Sequence, residues 1–178
     1  MDALPAELLP HRAAIVREYQ YQFGIPAPLP LAAAQMAQES GFNPDAKSRT
    51  GARGLLQFMP RTADQVGTDI GWPAEPNNPS WSIRAGAYYL RQLYDQVDYP
   101  SECDRFGAAL SAYNGGMGWH NRRRARATDP MDFWGSVRLV NPGILASNQR
   151  ENETYPQRIV YQLQARFRQM GGRMVCIS

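Results

Sequence analysis

A single glutamate at the end of an apolar segment is the strongest candidate for acid–base chemistry in this sequence. Glu39 follows residues 28–38, PLPLAAAQMAQ, which favour a largely buried helix with Glu39 in its last turn. A carboxylate there lies at the negative end of the helix dipole and among apolar neighbours. Both effects favour the protonated form, so we expect the pKa of Glu39 to be raised. A glutamic acid that stays neutral near pH 7 can act as a general acid.

An ordinary explanation of Glu39 is a solvated residue at a helix end, since glutamate is seldom buried. Its spacing alone does not decide between the two interpretations. Three further segments carry residues that could act with it, and each could also be purely structural. They are SRTGARGLLQFMPRTA (48–63), SAYNGG (111–116) and ENETYPQRI (151–159).

The elements that must position these residues are predicted to be helices. Apolar periodicity predicts a helix over residues 7–23 that ends at Gly24, and Pro60 suits the first turn of another helix. Residues 40–54 are too rich in Gly, Asn and Ser to be regular. Further helices are predicted over 79–97, 103–114 and 154–170, and no stretch alternates as a strand would. The sequence therefore predicts a mainly α, single domain over residues 1–178.

Composition limits the remaining possibilities for domain size, metal binding, cysteine pairing and membrane insertion. The chain has 178 residues, 43% apolar residues and a net charge of +3, which is typical of one globular domain. His11 and His120 lie in unrelated contexts, so no metal site is predicted. Cys103 and Cys176 could pair in an oxidising compartment or stay free thiols. No apolar run is long enough to span a membrane, and the N-terminus lacks a signal-peptide core.

Taken together, the four segments resemble the lytic transglycosylases with a lysozyme-like, goose-type domain. The match covers about residues 28–165 in order and spacing, from the helix-end Glu39-Ser40 pair to the late helix. Its longest block has no gap and comprises Pro44, Ala46, Ser48, Gly51, Ala52, Gly54, Leu55, Leu56, Gln57, Met59, Pro60, Thr62 and Ala63. The resemblance implies a lysozyme-like helical bundle around a sugar-binding cleft.

The resemblance also implies a role for each matched residue. Glu39 matches the catalytic acid of the family, and Ser40 matches the residue that supports it. The positions that line the sugar cleft or contact the sugar are matched by Ser48, Gln57, Met59, Tyr113 and Asn114. In the family, the tyrosine and the asparagine also contact the catalytic carboxyl group.

The last motif departs from the family pattern. Glu151 and Tyr155 give the expected Glu-x-x-x-Tyr spacing, but Asn152 stands where Thr is usual and Pro156 where Val is usual. Using Glu153 and Thr154 instead breaks the spacing to the tyrosine. We therefore assign Glu151 a supporting role and Tyr155 a substrate-binding role. We expect Glu151 to be buried and hydrogen-bonded.

The resemblance implies an enzyme without metal or cofactor that cleaves peptidoglycan between N-acetylmuramic acid and N-acetylglucosamine. The family works with one glutamate and forms a 1,6-anhydro ring instead of adding water. A hydrolytic muramidase is an alternative, in which Asp45, Asp64 or Asp69 would position the water. A weakly active, wall-binding virion component is a third reading, and intact Glu39 argues against it.

Partners and location follow partly from the resemblance. Peptidoglycan strands are the expected partner of a monomer. The arginine run NRRRARA, with Arg122, Arg123, Arg124 and Arg126, could bind anionic wall groups or form a solvated face. Nucleic acid is not expected, because no groove-reading motif accompanies the arginines. A compact chain without an export signal resembles a bacteriophage endolysin, which stays cytoplasmic until a holin releases it, or a virion-associated enzyme. A bacterial enzyme trimmed of its signal is the remaining alternative.

Overall fold

A computed structural model describes residues 3–177, and this part of the chain is helical. Within these residues there is no β-strand, only isolated bridges from Arg53 to Lys47 and to Phe58. The mainly α fold is therefore confirmed. The α-helices are α1 (Arg12–Phe23), α2 (Leu29–Ser40), α3 (Pro60–Ile70), α4 (Pro79–Gln96), α5 (Glu102–Gly115), α6 (Met117–Arg126) and α7 (Ala146–Gln157).

Proline and glycine set several helix ends where the sequence predicts them. Pro60 is the first residue of α3, where a missing N–H costs no helical hydrogen bond. Gly24 follows α1, and its N–H donates to Gln20 O. Gly41 follows α2 with φ 59°, a left-handed conformation that glycine adopts without steric cost. The helix ending at Ser40 is therefore fixed by local sequence.

The end of α7 differs from the single helix predicted over residues 154–170. Pro156 lies inside α7, where it cannot donate the usual backbone hydrogen bond. The chain continues as a π-helix, Arg158–Leu163, and then as a 3₁₀ segment, Gln164–Met170. The loss of one backbone donor explains why the regular α ladder stops here.

The chain divides into two compact units, and the division falls inside α4. The first unit is formed by the chain up to Arg91 together with Leu163–Met174. Its core is built on α2, which is buried from Leu29 to Met36 and packs against α1 and against Gln164–Met170. Because α2 is enclosed over most of its length, its C-terminal turn is held in a fixed position.

The second unit is formed by Gln92–Gln162 together with the segment from Val175. Here α5 packs against α6 and α7. Close packing on α5 depends on Gly107, because a Cβ there would lie 2.5 Å from the Phe133 ring. A disulfide joins Cys103 to Cys176, with Cα atoms 4.8 Å apart, and this resolves the pairing that the sequence left open.

Two predictions concern the chain as a whole. The single-domain prediction stays a prediction, and its ends at 1–2 and 178 lie outside the described residues. Among residues 3–177, no helix is both long enough and apolar enough to cross a membrane.

Candidate active site

The candidate acid lies at the C-terminal end of α2, in the first unit. Glu39 is half-buried in the last turn, three residues after Met36, where the buried part of the helix ends. The next residue, Ser40, donates from Oγ to Leu55 O at 2.8 Å, and Leu55 is fully buried. This bond connects the C-terminal end of α2 to the following loop. The backbone at Glu39 is therefore held by the buried part of the helix before it and by this hydrogen bond after it. The raised pKa of Glu39 stays a prediction.

The loop over residues 41–59 is held by its own hydrogen bonds. Ser48 N donates to Ala52 O at 2.9 Å, and Ala52 N donates back to Ser48 Oγ at 2.9 Å. Its tightest point is Gly54, where a Cβ would lie 1.7 Å from Pro76 O. Ser48 is half-buried, and its hydroxyl also contacts Thr50 Oγ1 at 3.0 Å. Ser48 therefore shapes the loop, whatever else it binds.

Besides Phe42, Gln57 is the non-glycine residue of this loop that has a positive φ. Its φ is 49°, in the left-handed region that few residues other than glycine adopt. Its Nε2 donates to Ala46 O at 3.2 Å and to Gly54 O at 3.0 Å. Since both partners are carbonyl oxygens, the amide orientation is fixed by chemistry. Within residues 3–177, Gln57 Oε1 accepts no hydrogen bond, so it can accept one from a ligand hydroxyl or amide.

Met59 follows this loop immediately before α3. Its side chain is 43% exposed, which is high for a methionine, and its backbone O accepts from Ala63 N. An exposed thioether beside a polar loop offers an apolar contact surface. The first unit thus presents a half-buried carboxyl group, an amide oxygen and an apolar side chain on one helix end and one loop.

The remaining candidates lie in the second unit. Tyr113 and Asn114 are half-buried at the C-terminal end of α5. Tyr155 is 4% exposed on α7, so its ring offers little surface to a sugar. Asn114 Nδ2 donates to Glu151 Oε1 at 3.3 Å.

The prediction that Glu151 is buried is wrong. Glu151 is exposed, and the neighbouring Asn152 is 3% exposed and bonded to α5. One residue along a helix turns the side chain by about 100°, so only one of the two can face α5. Sequence reasoning missed Asn152 because it treated that position only as a departure from a motif. The spacing of three residues between Gln149 and Asn152 was the available signal.

The arginine run has internal partners in the second unit, and α6, which carries it, was not predicted as a separate helix. Arg123 is fully buried and donates from Nη2 to Gln149 Oε1 at 3.0 Å. Arg122 lies over the Trp119 ring at 4.5 Å. Arg124 Nε donates to Pro130 O at 2.9 Å, and Arg126 Nη1 donates to Pro142 O at 2.6 Å. Much of this run therefore holds the unit together.

A metal site has no support in the described part of the chain. Within residues 3–177, no three His, Cys, Asp or Glu side chains are grouped so as to hold a metal ion.

Comparison with known proteins decides the family. The model of the Transglycosylase SLT domain matches residues 15–132, which is more than half of the chain. The chain belongs to this family. The match includes the candidate acid Glu39, the loop with Gln57, and the α5 end with Tyr113 and Asn114.

Individual relatives of this SLT domain are named as lytic enzymes. It is 42% identical over 116 residues to membrane-bound lytic murein transglycosylase F of Maricaulis maris, covering 63% of this chain and 24% of that protein. It is 37% identical over 128 residues to the protein of the same name from Shewanella frigidimarina, covering 69% and 26%. The chain thus spans about a quarter of the length of these relatives.

Solved structures agree with the fold. The SLT domain is similar to the 70 kDa soluble lytic transglycosylase from Escherichia coli, with a TM-score of 0.63 and 28% identity. The similarity covers 93% of this chain and 25% of that protein. The lysozyme-like fold class expected from the motifs is confirmed by this match.

Proposed function

We propose that this SLT domain is a peptidoglycan lytic transglycosylase. It cleaves the β-1,4 bond between N-acetylmuramic acid and N-acetylglucosamine, and Glu39 is its only acid–base group. The observation that carries the proposal is the Ser40–Leu55 bond, because it couples the helix end with Glu39 to the loop that presents Gln57 Oε1. The names of the relatives support the same substrate.

The reaction uses one carboxyl group twice, first as an acid and then as a base. Protonated Glu39 donates to the glycosidic oxygen as the bond from that oxygen to the anomeric carbon breaks. The N-acetyl group of the muramic acid stabilises the cationic anomeric carbon from within the substrate. Ionised Glu39 then takes the proton of the C6 hydroxyl, whose oxygen bonds to the anomeric carbon and closes the 1,6-anhydro ring. No water is consumed, and Glu39 ends protonated as it began.

Proximity favours ring closure over hydrolysis. An oriented intramolecular hydroxyl acts at an effective molarity on the order of 10⁵ M or more, far above liquid water. Hydrolysis would also need a second carboxylate near the sugar. The three aspartates considered for that role, Asp45, Asp64 and Asp69, are all exposed, and Asp69 accepts from Gln65 Nε2 at 2.9 Å.

Replacement of the acid tests this assignment. Glu39→Gln should lower the rate of wall lysis by about 10²–10⁴-fold with an unchanged melting temperature, because the amide has no proton to donate. Glu7→Gln is the matched control, since it makes the same carboxyl-to-amide change at an exposed residue of the same unit. A Glu39→Gln protein that clears purified cell walls at a large share of the wild-type rate would rule out Glu39 as the acid.

Product analysis separates the two enzyme mechanisms. We expect mass spectrometry to find muropeptides that end in 1,6-anhydro-N-acetylmuramic acid, without ¹⁸O when digestion is run in H₂¹⁸O. Reducible muramic acid ends that carry ¹⁸O, as the main product, would mean hydrolysis. Binding to walls without any release of muropeptides would support the weakly active virion component.

The setting of the enzyme is proposed from the disulfide. A bond between Cys103 and Cys176 is typical of oxidising compartments, and this supports action in the periplasm or outside the cell. If the enzyme is a bacteriophage endolysin, this bond forms only after the holin releases it. Co-expression with and without a holin tests that origin, because an endolysin lyses the host only when the holin is present. Light scattering after gel filtration tests the expected monomer.

A further inference from the structure

The amide of Asn152 makes three hydrogen bonds to α5. Its Nδ2 donates to Ser111 O at 2.8 Å and to Asn114 Oδ1 at 3.0 Å. Its Oδ1 accepts from Ser111 Oγ at 2.8 Å. Both amide hydrogens and one oxygen lone pair are therefore used. A side chain that is 3% exposed and so fully bonded cannot rotate without breaking several bonds at once.

The backbone fixes which way the Asn152 amide faces. Ser111 O can only accept, so the atom of Asn152 that faces it must be the nitrogen. The same nitrogen faces the Asn114 side chain, so the Asn114 atom there must be the oxygen, Oδ1. The orientation of the Asn114 amide is therefore set by Asn152.

Because Oδ1 of Asn114 faces Asn152, the position of the amide nitrogen, Nδ2, is also determined. Its Nδ2 lies on the opposite side and donates one hydrogen to Glu151 Oε1 at 3.3 Å. The second hydrogen of Nδ2 has no acceptor within residues 3–177, and Asn114 is half-buried. That hydrogen can be donated to an oxygen of a bound sugar, such as a hydroxyl or an N-acetyl carbonyl.

The packing around Asn152 is adapted to this contact. A Cβ at Gly115 would lie 2.6 Å from Asn152 Nδ2, so the glycine leaves room for the amide. Three residues earlier on α7, Gln149 accepts from the buried Arg123 of α6. Residues three apart share one helix face, so α7 contacts α5 and α6 through two buried amides.

We propose that Asn152 is a positioning residue that holds the Asn114 amide with its N–H directed to the glycan. This inference rests on the proposed function for the identity of the ligand, but not for the geometry. Threonine, the family's usual residue here, has one hydroxyl hydrogen. It can donate to Ser111 O or to Asn114 Oδ1, but not to both, so Asn152 makes a contact that threonine cannot.

The test is a double-mutant cycle on wall lysis. Asn152→Thr should lower the initial rate of lysis about tenfold, because a free Asn114 amide must be reordered when the sugar binds. In an Asn114→Ala background the same substitution should lower the initial rate of lysis by less than about twofold, since there is no amide left to position. Ser111→Ala is the matched control: it removes the bond to Asn152 Oδ1, keeps both Nδ2 bonds, and should keep most of the activity.

Two activity results would overturn the proposal. One is an Asn152→Thr enzyme with wild-type activity. The other is a loss that appears in full in the Asn114→Ala background, because that is the behaviour of a residue that only stabilises the fold.

An NMR measurement decides the geometry without any activity. Side-chain ¹⁵N relaxation should give the Asn114 amide an order parameter near that of rigid backbone, about 0.85, and a value below about 0.6 in Asn152→Thr. A mobile Asn114 amide in the wild-type protein would contradict the proposal even if the variant failed to fold. If the Asn114 amide is rigid in the wild-type protein but that protein releases no muropeptides, the positioning role of Asn152 is supported and the proposed function is wrong.

Discussion

Acid should destabilise this protein through one buried histidine. His120 on α6 is 1% exposed, and its Nε2 lies 3.2 Å from Tyr99 Oη. Burial, and after it the nearby charges of Arg123 and Arg124, together lower the pKa of His120 to about 4. Its Nδ1 has no partner within the described residues, and Phe133 packs beside the ring. The folded protein therefore holds this imidazole neutral.

The sign and size of the effect follow from linkage. An unfolded chain takes up the proton near the ordinary pKa of 6.5, whereas the folded chain does so only near 4. Stability is therefore complete above about pH 6.5 and is lost as the pH falls towards 4. Between about pH 7.5 and about pH 4.5, these two pKa values give a loss of roughly 2.5 kcal/mol from His120 alone.

The assay compares urea unfolding of the wild type and of His120→Gln at those two pH values. The neutral variant should lose about 2.5 kcal/mol less than the wild type over the interval. His11→Gln is the matched control, because burial also lowers the pKa of His11, but that ring is only half-buried. The chain has two histidines, so NMR can follow each ring. The reasoning fails if His120 titrates near 6.5 in the folded protein, or if His120→Gln is as acid-sensitive as the wild type.

Three further outcomes are expected. The Cys103–Cys176 bond joins residues 73 apart in sequence, so its reduction should lower the unfolding free energy by about 4 kcal/mol in urea titrations. The stability of a Cys103→Ala/Cys176→Ala protein should not change when reductant is added. Ser40→Ala leaves the buried Leu55 O without its donor, so calorimetry should show a loss of about 1–3 kcal/mol and lysis should slow. Tyr113→Phe should slow lysis at an unchanged melting temperature, and equal rates would end its assigned role.

Local sequence was sufficient for the part of the fold that holds the candidate acid. The helix that ends at Ser40 has an apolar interior and a glycine that adopts φ 59°, and both signals lie within the segment itself. Pro60 marks the start of α3 in the same way. The Ser40–Leu55 bond was not predictable, because it joins residues fifteen apart through a loop whose path depends on Gly54 and Pro76.

The arginine run shows where composition is a poor guide. Four arginines in five positions suggest a solvated face or an anion site, yet Arg123 is fully buried. Burial of a guanidinium group is favoured only where tertiary structure supplies acceptors, here Gln149 from another helix. The dipole of α5 also favours the positive charge of Arg123, because Nη1 lies close to the negative, C-terminal end of that helix. A Cβ built at Gly115 would lie 3.8 Å from this nitrogen. None of these partners is near in sequence.

The inner face of α7 was misread because it is marked by amides rather than by apolar residues. Apolar periodicity identifies a buried face only when the buried residues are apolar. On α7 the residues at 149 and 152 are Gln and Asn, both buried, and the apolar Tyr155 continues the same face. Ile159, in the π-helix that follows, is also buried. Glu151 lies off this face, so its carboxylate stays in solvent and reaches Asn114 from outside. Buried amides accept only partners of the right type at the right distance, so they fix the register of α7 on α5 more narrowly than apolar contacts could. If that is their role, Asn152→Thr should change the Asn114 amide while leaving the packing of Tyr155 and Ile159 intact.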